Sequence, residues 1–135
     1  IVTKPLAVQQ GAVLTIKPGT VIKMKANSSI NAPEGTLNCV GKPDSLIVFT
    51  MADGETEYAA SITLLDKIEY VKFTGLKLDG ALAFVLSDCV NCIFEYCYNT
   101  GTVNGLVGTK YLGGVAGYNK AGCSITNSYT LSTAV

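Results

Sequence analysis

Leu46-Ile-Val-Phe-Thr50 is followed, 24 residues later, by Tyr70-Val-Lys-Phe-Thr74, and about one further period on by Cys92-Ile-Phe-Glu-Tyr96. Ser124-Ile-Thr-Asn-Ser-Tyr129 continues the series. Each copy sets an apolar residue two positions before an aromatic or polar one, the spacing at which strand side chains return to one face. A recurrence of about 20 to 25 residues holding two or three short strands matches one coil of a β-solenoid, and a sandwich does not produce it. The fold class expected is therefore all-β: a right-handed parallel β-helix, or single-stranded β-solenoid, of about five to six coils.

Outward from these copies the chain offers short β-branched and aromatic runs broken by Gly, Pro, Asn and Asp, with no helical spacing. Strands are expected at Ala12–Ile16, Thr20–Lys25, Thr36–Val40, Leu46–Thr50, Ser61–Leu65, Ile68–Thr74, Leu76–Leu78 and Ala83–Ser87. Cys92–Tyr98, Leu112–Gly117 and Ser124–Thr130 complete the set. Turn residues such as Pro18-Gly19 and Pro33-Glu34-Gly35 fill the gaps. Asn91, Asn99, Asn104, Asn119 and Asn127 suit either amide ladders between coils or single left-handed turn positions, and both readings stay open here.

Composition narrows the function classes. Nearly half of the 135 residues are hydrophobic, and ten lysines balance ten acids to zero net charge. That balance gives no electrostatic reason to expect nucleic acid or an anionic membrane as partner. The chain has no Arg, His or Trp. No apolar run approaches the roughly 20 residues of a membrane span. The start, Ile1 to Gln10, lacks the basic and apolar regions of a signal peptide, and the chain is expected to be a piece of something longer. Five cysteines, Cys39, Cys89, Cys92, Cys97 and Cys123, do not suit a fully paired disulfide framework. Cys89 and Cys92 form a lone CxxC without His, a weak zinc signal, so the cysteines read first as small buried hydrophobes.

Two segments resemble known families. Gly11-Ala-Val-Leu-Thr-Ile-Lys-Pro-Gly-Thr-Val-Ile-Lys-Met24, with Gly35-Thr-Leu-Asn-Cys-Val-Gly41 and Leu46–Thr50, resembles the opening coils of bacterial pectin-lyase-like β-helix proteins. Tyr98-Asn-Thr-Gly-Thr-Val-Asn-Gly105, Gly113-Gly-Val-Ala-Gly-Tyr-Asn119 and Ser124–Tyr129 are similar to the GLUG-type repeats of bacterial surface proteins and adhesins. The resemblances imply one β-helix domain over residues 1–135, with pectin-lyase-like coils in 1–97 and GLUG-like coils in 98–135. They speak for fold more than for function, because this fold hosts lyases, hydrolases and adhesins alike.

The lyases of the resembled family imply an Arg or Lys base and clustered acids holding Ca²⁺. This chain has no Arg, and Lys67, Lys72 and Lys77 read as outward strand residues. The hydrolases imply Asn-Thr-Asp, Asp-Asp, Gly-His-Gly and Arg-x-Lys motifs, none of which occurs. Among the acids Asp53, Glu55, Glu57, Asp66, Glu69, Asp79, Asp88 and Glu95, Glu69 and Glu95 hold comparable places in the repeat; two solvated strand-face acids is the favoured reading, with stacking one or two coils apart as the alternative. Asp53, Glu55 and Glu57 form an acidic loop without the ligand order of an EF-hand. Catalysis of the Ser-His-Asp or Cys-His kind has no histidine to use. Thr15, Thr50, Thr63 and Thr74 do not form the Thr-x-Thr array that ice binding requires.

The sequence thus points to a non-catalytic module of a secreted or cell-surface bacterial protein, with no catalytic residue, metal ligand or cofactor assigned. A glycan or a host or cell-surface protein is the expected partner. The alternative is a polysaccharide-binding relative of the β-helix enzymes with lost catalytic residues. Tyr96, Tyr98, Tyr111, Tyr118 and Tyr129 would favour carbohydrate if several share one exposed face. Solenoid ends are open sheet edges unless capped, and no capping helix is evident at either end, so end-to-end self-association or contact with the rest of a parent chain is also expected.

Overall fold

A computed structural model describes residues 1–32, 34–63, 67–78, 88–99 and 122–130. Among these the regular elements are all strands. The chain opens with β1 (Pro5–Ala7), β2 (Val13–Ile16) and β3 (Val21–Met24), then β4 (Ser29–Asn31), β5 (Thr36–Val40) and β6 (Ile47–Met51). β7 (Ser61–Thr63), β8 (Lys67–Glu69), β9 (Val71–Thr74) and β10 (Lys77–Leu78) follow. The last are β11 (Asp88–Val90), β12 (Ile93–Glu95), β13 (Tyr98–Asn99), β14 (Ser124–Thr126) and β15 (Tyr129–Thr130).

Their pairing makes the solenoid. The sheets run β2-β5-β8-β11, β3-β6-β9-β12-β14, β1-β4-β7 and β10-β13-β15. Every pair is parallel, so a strand meets its neighbour only after the chain has travelled around a coil. A parallel bridge between Ala59 and Leu78 joins the third face, from the β7 side, to β10. The expected all-β, parallel, stacked-coil architecture is present.

Register explains the core. Lys23 faces Thr50 and Ile22 faces Phe49; Phe49 faces Phe73, Phe73 faces Phe94, and Phe94 faces Ile125. Alternation along each strand turns this column inward, and Phe49, Phe73 and Phe94 are fully buried. Their rings stack at 5.1 Å and 4.8 Å between centroids, with interplanar angles of 16° and 7°. Parallel columns of Leu14 on Leu37, and of Leu6, Ile30 and Ile62, line the other two faces. The intervals from Ile22 to Phe49, Phe73, Phe94 and Ile125 are unequal, yet the column stays in register.

Three strands expected as single runs are bent. Ile68–Thr74, Cys92–Tyr98 and Ser124–Thr130 each divide in two, because Tyr70, Tyr96 and Asn127 adopt φ of 52°, 53° and 48°. These left-handed residues turn the chain from one sheet to the next. Tyr70, Asn91 and Gly122 turn the first corner of successive coils, and Gly75, Tyr96 and Asn127 turn the second. Asn91 and Asn127 therefore serve as single left-handed corners and not as an amide ladder, which decides between the two readings for those residues. Gly122 lies under Asn91, whose amide a Cβ at position 122 would strike. Asn104, Asn119 and the strands expected at Ala83–Ser87 and Leu112–Gly117 lie outside the described residues. β1 and β4 were not expected from sequence, since Pro5 and the Ser28-Ser29 pair disguise short strands.

Removing the middle ring of the column tests this packing: Phe73→Ala is expected to cost about 3–5 kcal/mol in chemical denaturation. Tyr96 is 63% exposed and left-handed, so little packing opposes relief of its backbone. Tyr96→Gly is expected to raise stability by about 1 kcal/mol, read as a higher denaturation midpoint.

Candidate functional site

The corners set out a repeated polar device. After the left-handed residue at each bend comes an inward residue: Val71, Cys92 and Cys123 at one corner, Leu76, Cys97 and Ser128 at the other. The Cys92 amide donates to the Cys123 Sγ of the next coil at 3.2 Å, and the Cys97 amide donates to Ser128 Oγ at 3.1 Å. Each side chain in turn donates to the carbonyl two residues back: Cys92 to Val90 at 3.3 Å, Cys97 to Glu95 at 3.4 Å, Ser128 to Thr126 at 2.9 Å. Cys97 also reaches the Phe73 carbonyl at 3.4 Å. Burial pushes the Cys97 thiol up to about 11, so it remains a protonated donor at neutral pH. Cys39, Cys92 and Cys97 are buried and Cys123 half-buried, as small core residues would be, and Cys92, Cys97 and Cys123 also bond the backbone where the ladder bends. The backbone of Cys89 faces Ile68 in the β11–β8 ladder.

The acids singled out from sequence do not converge. Glu69 pairs with Val40 and Val90 in one sheet, whereas Glu95 pairs with Thr74 and Thr126 in another. The alternative of stacking is set aside: the corner at Tyr70 turns the chain before Glu95's column begins. Glu95 instead meets Lys72 at 2.6 Å and accepts from Thr74 Oγ1 at 3.1 Å. The Lys72 ammonium and the Thr74 hydroxyl hold its carboxyl below the usual carboxylate range, so the pair persists at neutral pH and fades as pH falls. In the acidic loop, Asp53 pairs with Lys23 at 2.6 Å, and Glu55 accepts from the Ala26 amide at 3.2 Å. Among the described residues no three His, Cys, Asp or Glu side chains cluster to hold a metal. Asp66 and Asp79 lie outside them, and Asp88 lies in β11 with its backbone opposite Lys67. Lys77 is exposed. Thr15, Thr63 and the pair Thr50 and Thr74 are spread over three sheets and share no flat face.

The tyrosines do converge in part. Tyr98 of β13 stands between Lys77 of β10 and Tyr129 of β15 in the register of the third face. Tyr58, which precedes the Ala59–Leu78 bridge, brings its ring to 5.8 Å from that of Tyr98, tilted by 53°. Both rings are half-buried, so each keeps part of its surface in solvent. Tyr96 stands apart at its corner, and Tyr111 and Tyr118 lie outside the described residues. Tyr58 was missed from sequence because it sits in an acidic loop far from the other tyrosines, and only the coil register brings it near them. Tyr58 and Tyr98 can stack on a planar or ring-shaped apolar surface, with Lys77 in register beside Tyr98.

Comparison with protein-family models, curated proteins and solved structures gives no match to this chain. No helix among the described residues is long and apolar enough to cross a membrane.

The corner device has a direct test. Ser128→Ala removes the acceptor of the Cys97 amide and is expected to cost about 1–2 kcal/mol by denaturant titration, while Ser128→Cys retains most of the stability.

Proposed function

We propose that this chain is a non-catalytic structural and adhesive module of a secreted or cell-surface bacterial protein. In this reading it is a right-handed rod of about five to six coils that holds a lateral face rigid for contact with a glycan. The observation that carries the reading is the group of Tyr58, Lys77 and Tyr98 on the third face. A sugar ring presents an apolar C–H face that stacks on half-exposed aromatics, and a neighbouring ammonium favours an acidic sugar. The inward columns beneath give the row its fixed spacing, so binding costs little ordering entropy. The sequence resemblance to pectin-lyase-like coils and GLUG repeats supports the bacterial surface setting.

A β-helix relative that binds polysaccharide after losing its catalytic residues would use the same row. Turnover separates a living enzyme from both. The chain should be retained by immobilised acidic polysaccharides, and Tyr58→Ala with Tyr98→Ala should weaken retention about tenfold or more, while neither reducing ends nor unsaturated uronates accumulate. Product formation would overturn the non-catalytic reading. Retention unchanged in the double variant would overturn the assignment of the face.

A further inference from the structure

The third face holds a second feature beside its tyrosines. A polar cavity of about 170 Å³, lined by Asn27, Glu57, Tyr58, Ala59 and Ala60, lies between two successive coils. It is not at an end of the rod, since Val2 and Pro5–Ala7 already pair beside the strands that flank Asn27.

The walls of the cavity are fixed by backbone bonds. The Asn27 amide donates to the Tyr58 carbonyl at 3.0 Å, and the Ala60 amide donates to the Ser28 carbonyl at 2.8 Å. The loop before Tyr58 is tied to the same corner, because Glu55 accepts from the Ala26 amide at 3.2 Å.

Register then orders the polar groups along the rod. Ala59 bridges to Leu78, and its amide donates to the Lys77 carbonyl at 2.9 Å, which sets Tyr58 opposite Lys77 on the next coil. Asn27, Tyr58, Lys77 and Tyr98 therefore follow one another, one per coil, at about 4.8 Å per step. The cavity lies on the Asn27 side of Tyr58, and Lys77 lies on the Tyr98 side. Glu57 and Lys77 are both exposed, and neither takes part in an ion pair or side-chain hydrogen bond among the described residues. The lysines before the corner leave Glu57 unneutralised: Lys23 is taken by Asp53, and Lys25 forms no ion pair among the described residues.

We propose that this cavity makes the face selective for acidic glycans in which a uronate alternates with an uncharged sugar. The inference rests on the glycan reading of Tyr58 and Tyr98 and extends it by one unit. The uronate stacks on the two rings with its carboxylate at Lys77. The next unit places a hydroxyl edge in the cavity, where the Glu57 carboxylate accepts from hydroxyls and the Asn27 side-chain amide donates to them. Asn27 and Lys77 stand two coil steps apart, about 10 Å, a span that suits two linked sugar rings. The volume, that of about five or six waters at ~30 Å³ each, admits such an edge and not a whole buried ring. A second uronate there would set its carboxylate against Glu57, so a homopolyuronate binds more weakly despite its higher charge.

Two hexasaccharides test this by titration calorimetry on the whole chain: one alternates uronate with N-acetylhexosamine, and the other is uronate throughout. The alternating hexasaccharide should bind about tenfold tighter, although it carries half the charge. Glu57→Gln removes the repulsion and should tighten the homopolyuronate about tenfold, closing the gap. Asn27→Gly suits the left-handed corner and should weaken the alternating hexasaccharide several-fold while leaving the other unchanged. Circular dichroism melts check that both variants fold. Equal affinity for the two, a preference for the homopolyuronate, or a preference that survives Glu57→Gln would overturn the inference and leave glycan contact at the tyrosines standing. Binding of neither would overturn the glycan reading itself, and this inference with it.

Discussion

Register between coils is the constraint on which everything else in this molecule rests. A parallel ladder fixes which residue stands above which, and a slip of one position would turn every inward side chain to solvent. The Ile22–Phe49–Phe73–Phe94–Ile125 column makes that slip costly, because it would expose three stacked rings together. The same alignment that buries the phenylalanines also sets Tyr98 beside Lys77 and Tyr129. Core and surface are two readings of one register.

Bending is the second problem such a coil must solve. A strand that turns sharply leaves amides without ladder partners, and a buried amide without a partner is costly. This chain answers with left-handed residues at the bends and with Cys or Ser side chains just after them, which accept the amide of the coil before. Tyrosine at two of these positions is unusual, since a bulky side chain disfavours positive φ. The surrounding bonds hold it there: the Tyr70 amide donates to Val90, and the Tyr96 amide donates to Thr126.

Much of this was legible in the sequence. The spacing of Leu46–Thr50 and Tyr70–Thr74 identified paired strands because strand alternation leaves a period-two mark on inward residues. The bends inside Ile68–Thr74 and Cys92–Tyr98 were not legible, since a tyrosine corner carries no Gly or Asn signal. Glu69 and Glu95 show the consequence, because two residues separated by a hidden corner look equivalent along the chain and lie on different faces. Cys39, Cys92 and Cys97 are buried as the sequence led one to expect, whereas the part of Cys123 as acceptor of the Cys92 amide depends on a neighbour one coil away.

The unequal intervals along the phenylalanine column carry an evolutionary consequence. From Phe73 to Phe94 the chain makes a coil in 21 residues, and from Phe94 to Ile125 the next register partner comes after 31, while both pairs sit opposite one another in the same ladder. The register of the column is thus kept although the spacing between partners changes by ten residues. A change of length that leaves the register of the strands intact preserves each coil's contacts with its neighbours, so the fold tolerates coils of unequal length in one ladder. The fold separates the sites where novelty is cheap from the sites where it is lethal, and it does so once per coil.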